Sequence, residues 1–221
     1  MSQQMVLDLQ LPAVPSFEGY VAGDNAEPLF MLGEWVAGAD DIRFLYLWGE
    51  AGVGKSYLLD ATAARLEVAV IAPPAPLPTS LPHDAVLIVD GVDALDPDEQ
   101  IRLFDHYNTL REGTGRLLAT GSKPPMLLGL RDDLTTRLGW GLVYQLRALS
   151  DGDKAAALRR RAFGLGFELS DEVADYLLRH AVRDLPSLNA LLERVNIEAL
   201  SQRRAVTVPL VREVLLSERS L

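Results

Sequence analysis

Short apolar runs alternate with helical patterns over the first two thirds of the chain. Five such runs predict buried strands, at residues 44–48, 68–71, 86–90, 117–120 and 142–146. Between them, apolar residues recur every three or four positions, which is the spacing of a helix with one buried face. Strands that alternate with helices usually form a parallel sheet that is covered by helices. The pattern therefore predicts a doubly wound α/β domain with a five-stranded parallel sheet.

From Ser150 onward the pattern changes to helices alone. Ser150 and Ser170 are good N-cap residues, and acidic residues follow each of them. The next predicted helix carries its apolar residues on one face, at Leu188, Leu191, Leu192, Val195 and Ala199. We therefore expect an arm at residues 1–16, an α/β domain at residues 17–148 and a small all-α lid domain at residues 149–221.

A glycine-rich stretch lies between the first predicted strand and the helix that follows it. Residues 49–56 read Gly-Glu-Ala-Gly-Val-Gly-Lys-Ser and fit the P-loop pattern G-x-x-x-x-G-K-[ST]. In such a loop the backbone N–H groups surround phosphate oxygens, the lysine reaches the β- and γ-phosphates, and the hydroxyl ligates Mg²⁺. The predicted phosphate-binding residues are Gly49, Gly52, Val53, Gly54, Lys55, Ser56 and Tyr57.

The third predicted strand ends in an acid. Residues 86–90 read Val-Leu-Ile-Val-Asp, which is the pattern of a Walker B strand downstream of a P-loop. At the carboxyl end of a parallel strand, Asp90 is expected beside Ser56, where the two side chains would hold Mg²⁺ and its water shell.

Two features between the second and fourth strands bear on the architecture. The segment at residues 72–78 contains four prolines, so it predicts a loop and leaves little room for a helix. Asp96, Pro97 and Glu99 predict a helix start in which Asp96 caps and Glu99 bonds back to the cap. The residues expected to face the core from that helix are Ile101, Phe104, Tyr107 and Leu110.

Composition narrows the class of protein. The chain of 221 residues carries a net charge of −10 and contains no cysteine, which excludes disulfides, thiol catalysis and cysteine-based zinc sites. No apolar run is long enough for a membrane span, and the amino terminus lacks the features of a signal peptide, so we expect a cytoplasmic protein. The basic clusters at residues 159–161 and 203–204 are interpreted as solvated helix faces, and no sequence-specific DNA binding is expected.

Two stretches stay ambiguous on the residues alone. Residues 4–9 have apolar spacing that fits either an edge strand or a linear peptide for a partner's pockets, and Pro12 argues against a helix. Arg137 precedes the fifth strand. It could form an ion pair with Asp132 or Asp133, or it could act on a phosphate held by a neighbouring molecule.

Together, the P-loop, the Walker B strand, the polar end of the fourth strand, the arginine before the fifth strand and the helical lid resemble an AAA+ ATPase. The entry segment at residues 17–25 is similar to that of the DnaA family. Residues 120–125, 134–141, 149–154 and 166–169 resemble the corresponding boxes of the Hda regulators within that family. The similarity extends from about residue 4 to residue 217.

The resemblance implies an AAA+ P-loop core that binds an adenine nucleotide with Mg²⁺. It places Tyr20 and Val21 of the entry segment over the adenine, and it makes Ser122 the polar sensor after the fourth strand. Arg183-Asp184-Leu185 resembles the box whose arginine contacts the γ-phosphate from the lid, so Arg183 is the candidate lid sensor.

The resemblance also implies partners. Residues 4–9 are similar to the peptide with which Hda binds the sliding clamp, the β subunit of DNA polymerase III, so the expected contacts come from Gln4, Met5, Leu7 and Leu9. Arg137 corresponds to the arginine finger that is presented in trans to the ATP of DnaA. A homo-oligomer is compatible with the same arrangement.

Departures from the AAA+ pattern concern hydrolysis and DNA binding. Gly91 follows Asp90 where many AAA+ ATPases have an acid that polarises the attacking water, and whether Asp93 replaces it is open. The chain ends soon after the lid and has a proline-rich loop where initiators have a helical insertion. We therefore expect a nucleotide-binding regulator with slow or no turnover alone. The alternatives are a self-contained AAA+ ATPase, such as a loader or remodeller, and a P-loop kinase, which the helical lid disfavours.

Overall fold

The computed structural model describes residues 15–181 and 184–218. Five parallel strands form one sheet in the order β2-β3-β4-β1-β5. Their bounds are Phe44–Trp48 for β1, Val70–Ile71 for β2, Val86–Val89 for β3, Arg116–Gly121 for β4 and Leu142–Gln145 for β5. Strand β1 lies between β4 and the edge strand β5, and the loop that follows β1 leaves the sheet at the carboxyl ends of these strands.

Eight helices accompany the sheet in the described residues. Four belong to the α/β part, namely α1 at Ala26–Ala37, α2 at Lys55–Leu66, α3 at Pro97–Glu112 and α4 at Asp132–Trp140. The other four follow the sheet, namely α5 at Asp151–Gly164, α6 at Asp171–His180, α7 at Leu185–Gln202 and α8 at Val208–Glu218. Short 3₁₀ turns lie at Phe17–Gly19, Val92–Ala94 and Pro125–Leu127. In the described part of the chain, no helix has both the length and the hydropathy that a membrane span requires.

Three apolar clusters account for the packing. Helices α1 and α2 cover one face of the sheet with buried residues such as Trp35 and Leu58, and α3 and α4 cover the other with Tyr107 and Leu134. The third cluster is built by the last four helices and their connections, with Leu177 and Leu192 fully or almost fully buried. The five-stranded parallel α/β fold followed by an all-α unit is confirmed, whereas the boundary near residue 149 stays a prediction.

The predicted helix starts agree with the capping contacts. The side chains of Asp96, Ser150 and Ser170 accept hydrogen bonds from backbone N–H groups in the first turns of α3, α5 and α6. Each contact satisfies a donor that the helix itself leaves unpaired. The proline-rich segment forms a loop, and no helix lies between β2 and β3.

Two predictions about α3 were wrong, one about Ile101 and one about Glu99. Ile101 is 42% exposed, while Leu103 and His106 are buried beside Tyr107 and Leu110. The reason is geometric, because residues three apart on a helix turn by about 60° relative to each other, so residues nine apart cannot share one face. Glu99 does not bond back to its cap, because its carboxylate accepts from the N–H of Leu77 and so fixes the proline-rich loop.

Candidate functional site

The predicted P-loop connects the carboxyl end of β1 to the first turn of α2. Gly52 and Gly54 have φ angles of 81° and 94°, a left-handed region that favours glycine. A side chain at Gly54 would collide with the ring of Tyr20, because an added Cβ would lie 2.7 Å from Cε2. The loop thus requires glycine where it runs into the first turn of α2. Backbone N–H groups at the start of a helix can bind a phosphate.

The ammonium group of Lys55 lies within this loop. Its Nζ donates hydrogen bonds to the carbonyls of Gly49 at 2.7 Å and Glu50 at 2.8 Å. Burial lowers the pKa of Lys55, and the carboxylates of Asp90 and Asp93 oppose that shift. The charge is thus partly withdrawn from water and held where a phosphate would offer it stronger acceptors than two carbonyls.

A short chain of hydroxyl and carboxylate groups connects the P-loop to the neighbouring strands. Ser56 Oγ donates to Asp90 Oδ2 at 2.5 Å, and Thr120 Oγ1 donates to Asp90 Oδ1 at 2.5 Å. The N–H of Gly91 donates to Thr120 Oγ1 at 2.9 Å. Thr120 is fully buried at the end of β4, so its hydroxyl fixes the orientation of the Asp90 carboxylate.

The Ser56 and Asp90 pair fits Mg²⁺. A hydroxyl and a carboxylate are hard oxygen ligands, and Mg²⁺ in nucleotide sites takes one or two protein ligands while phosphates and water supply the others. Among the described residues, no group of three or more His, Cys, Asp or Glu side chains is placed to hold a metal. Ser56 and Asp90 would supply two oxygen ligands, which is the small number that a nucleotide-bound Mg²⁺ takes from a protein.

Sequence reasoning chose Ser122 as the polar group after the fourth strand and missed Thr120. The N–H of Ser122 donates to Asp93 Oδ1 at 3.1 Å, and its side chain is exposed, with no hydrogen bond among the described residues. Asp93 also helps burial to raise the pKa of Tyr46. The carboxylate of Asp93 is thus engaged with the loop after β4. A lone hydroxyl at the end of an apolar strand was the signal that could have identified Thr120.

The entry segment lies against the P-loop. The hydroxyl of Tyr20 donates to the carbonyl of Val53 at 3.0 Å, and burial raises the pKa of Tyr20 to about 12. The hydroxyl of Tyr57 donates to the carbonyl of Ser16 and accepts from its N–H, at 3.1 and 3.2 Å. Val21 is half-buried beside these contacts.

Asn25 fixes the far end of the entry segment, a role that the sequence did not reveal. Its buried side chain donates to the carbonyl of Arg147 at 2.9 Å and accepts from the N–H of Arg147 at 2.7 Å. Because Arg147 follows β5, this paired contact anchors the entry segment to the residues between the sheet and the lid. The segment is therefore held at both ends, by Tyr57 and by Asn25.

The lid approaches the same loop. A Cβ added to Gly52 would lie 3.3 Å from Cβ of Asp184, the residue that caps α7 by accepting from the N–H of Ser187. Pro186 is tolerated in the first turn of α7, where the missing N–H would have no helical partner. Arg183 lies outside the described residues, so its role as the lid sensor stays a prediction.

The predicted clamp peptide also lies outside the described residues. The contacts assigned to Gln4, Met5, Leu7 and Leu9 therefore stay predictions.

Arg137 contacts aromatic rings and no acid in the described chain. Its Cζ lies 4.1 Å from the ring centroid of Trp140, 5.5 Å from that of Phe104 and 5.9 Å from that of Tyr107. Asp133 pairs with Arg131 instead, at 2.7 Å. The alternative of an ion pair between Arg137 and Asp132 or Asp133 is therefore not found among the described residues.

Arg137 lies at the opposite end of β1 from the P-loop. The ring of Tyr107 contacts both Arg137 and Phe44, the first residue of β1, with ring centroids 4.3 Å apart in the second case. Gly141 abuts the carbonyl of Phe44, so the end of α4 is fixed at the amino end of β1. A five-residue strand is about 16 Å long at about 3.3 Å per residue. In this structure Arg137 is therefore remote from its own P-loop.

Comparisons with known proteins agree with this geometry. The family model for the Hda lid domain matches residues 151–215. Domain III of DnaA from Thermotoga maritima is 18% identical with a TM-score of 0.74, over 94% of this chain and 98% of that one. DnaA from Aquifex aeolicus, whose structure contains AMPPCP, is 19% identical with a TM-score of 0.69, over 88% and 68%. The Thermotoga maritima RuvB branch migration motor is 16% identical with a TM-score of 0.71, over 92% and 72%.

At these identities the structural matches show the fold, and the lid match adds the family signal. Residues 151–215 therefore match the Hda lid domain, and the chain as a whole shares the fold of the DnaA and RuvB structures.

Proposed function

We propose that the chain is a nucleotide-binding regulator of replication initiation that stimulates hydrolysis of DnaA-bound ATP while it is bound to the DNA-loaded sliding clamp. Hydrolysis would lower the amount of DnaA-ATP and so prevent re-initiation. The observation that carries the proposal is the position of Arg137. It lies remote from the P-loop of its own chain and has no acidic partner among the described residues.

The nucleotide held by the chain itself is an adenine nucleotide with Mg²⁺ in this proposal. The structure of DnaA from Aquifex aeolicus, which shares the fold, contains an ATP analogue. Lys55 would bind the phosphates, and Ser56 and Asp90 would hold the cation. Because Gly91 has no carboxylate to polarise water, we expect this nucleotide to be hydrolysed slowly or not at all by the chain alone.

Arg137 acts in trans in this proposal. A guanidinium that reaches the transferring phosphoryl group stabilises the charge of the transition state, and its planar fork can bridge two oxygens. An arginine that makes this contact in the transition state raises the rate without raising ground-state affinity. The partner must present its bound ATP where Arg137 can reach it. DnaA is the proposed partner, because this chain shares the fold of DnaA.

The test measures phosphate release from DnaA-ATP in the presence of clamp loaded on DNA. Arg137→Ala should lose most of the stimulation, since arginine fingers contribute about 10³- to 10⁵-fold in the best-studied GTPases. Arg137→Lys should restore little of it, because an ammonium is a point charge. Arg131→Ala is the matched control, because Arg131 lies at the start of the same helix and pairs with Asp133.

Full stimulation by Arg137→Ala would refute the proposal. Brisk ATP hydrolysis by the chain without DnaA would instead favour a self-contained ATPase. Nucleotide binding by Arg137→Ala should match that of the wild type, which separates loss of the finger from loss of the fold.

A further inference from the structure

Trp140 is an exposed aromatic residue that contacts two arginines. Its side chain belongs to the last residue of α4 and is 54% exposed. The guanidinium of Arg137 lies over its ring at 4.1 Å, and that of Arg111, from α3, lies over it at 4.8 Å. An exposed ring is held little by burial, so its contacts with the two guanidinium groups contribute to fixing its position.

We propose that Trp140 is a positioning residue for Arg137, and this inference rests on the proposed function. Trp140 follows Arg137 by three positions on α4, so the two side chains are neighbours on the helix surface. Arg111 contacts the ring from α3, so two helices define where the ring lies. The ring in turn defines where the guanidinium of Arg137 lies.

The chemistry of the contact suits an arginine that must act on a partner. An ion pair would occupy the N–H donors of Arg137 and cancel its charge. The face of an indole ring attracts the cation without accepting a conventional hydrogen bond, so the terminal N–H donors are not used up by an acid. The Nε atom of Arg137 is buried and has no hydrogen-bond partner among the described residues, so ring contacts hold the group. The guanidinium is thus fixed in place before a phosphate arrives, which reduces the ordering cost of binding.

Two substitutions separate the ring face from apolar bulk. Trp140→Leu keeps an apolar side chain but has no π system. Trp140→Phe keeps a π system that is smaller than the indole ring. Stimulation of DnaA-ATP hydrolysis should fall by about 3- to 30-fold in Trp140→Leu and by less in Trp140→Phe, the range expected from a cation–π contact. Phe163→Leu is the control, because Phe163 is an aromatic residue on the lid that is 85% exposed. Its stimulation should equal that of the wild type.

A second measurement does not depend on DnaA. The protein is labelled with ¹⁵N-arginine, and the chemical shift of the Nε–H group of Arg137 is measured by NMR. The ring current of Trp140 should displace this chemical shift, and Trp140→Leu should change it. In the Arg137→Ala background, Trp140→Leu should cause no further loss of stimulation, because the ring then has nothing to position.

The possible outcomes separate the two proposals. If Arg137→Ala keeps full stimulation while the Arg137 resonance responds to Trp140→Leu, the proposed function fails and the contact stands. If Trp140→Leu keeps full stimulation while Arg137→Ala loses it, the positioning role fails. An additive loss in the double variant, or an equal loss in Trp140→Phe and Trp140→Leu, would also overturn the positioning role.

Discussion

Replacing Thr120 by valine removes one hydroxyl and keeps a side chain of nearly the same shape. That hydroxyl donates to Asp90 and accepts from the N–H of Gly91, and Thr120 is fully buried. Thr120→Val therefore breaks two hydrogen bonds at once. It leaves a backbone donor without its acceptor and frees the carboxylate that faces Ser56.

The magnitude follows from these two contacts. A hydrogen bond to a charged group contributes about 1.5–3 kcal/mol, and a buried donor left unpaired costs about 1–3 kcal/mol. The methyl group gained offsets about 0.8 kcal/mol. Asp90 and Gly91 are only half-buried, so water can recover part of the loss. We expect the free energy of unfolding of Thr120→Val to fall by about 2–3 kcal/mol.

The matched control is Thr62→Val. Thr62 is also fully buried, but its hydroxyl donates to the carbonyl of Leu58 one turn earlier in α2. That carbonyl keeps its helical partner, so the loss should stay below about 1 kcal/mol. Urea unfolding of both variants compares the two threonines directly. Calorimetry should also show that Thr120→Val weakens nucleotide binding with Mg²⁺ by about tenfold, or 1.4 kcal/mol, and much less without it. Equal destabilisation by the two variants, with unchanged Mg²⁺ dependence, would refute the assigned role of Thr120.

Three further predictions concern the other parts of the site. Lys55→Ala should abolish nucleotide binding, and unchanged affinity by calorimetry would contradict the P-loop assignment. Arg183→Ala should weaken ATP binding more than ADP binding, since only ATP offers a γ-phosphate; equal losses would make Arg183 a surface residue. Deleting residues 4–9 should remove clamp binding in a pull-down assay and leave thermal stability intact. A large loss of stability would instead indicate a structural strand.

Much of the fold could be predicted because its signals are local. A capping residue such as Asp96 bonds to an N–H three positions away, so the start of α3 is encoded within one turn. The strand, glycine loop and helix around Lys55 are likewise contiguous in sequence. The proline-rich loop is encoded by residues that lack a backbone donor.

The contacts that the sequence did not reveal depend on which strands and helices are neighbours. Asp90 leaves β3 beside the end of β4, and the register Val89↔Ala119 brings Thr120 to its carboxylate. No local pattern contains that pairing. The sequence therefore favoured Ser122, the polar residue after the strand, over Thr120 within it. The aromatic partners of Arg137 include one local and one distant contact. Trp140 lies three residues away on the same helix, whereas Phe104 belongs to α3 and depends on how the two helices pack.

The two ends of β1 limit which neighbour Arg137 can serve. Since the P-loop and Arg137 lie at opposite ends of that strand, the chain can hold its own nucleotide and still present an arginine to another molecule. In a homo-oligomer, Arg137 would meet a second copy of this site, where Gly91 stands in place of the acid that polarises water. The arginine would then stabilise a transition state that the site is poorly equipped to reach. A partner chain that carries such an acid is the better target, so we expect the proposed action in trans to fall on another protein and not on a second copy of this chain.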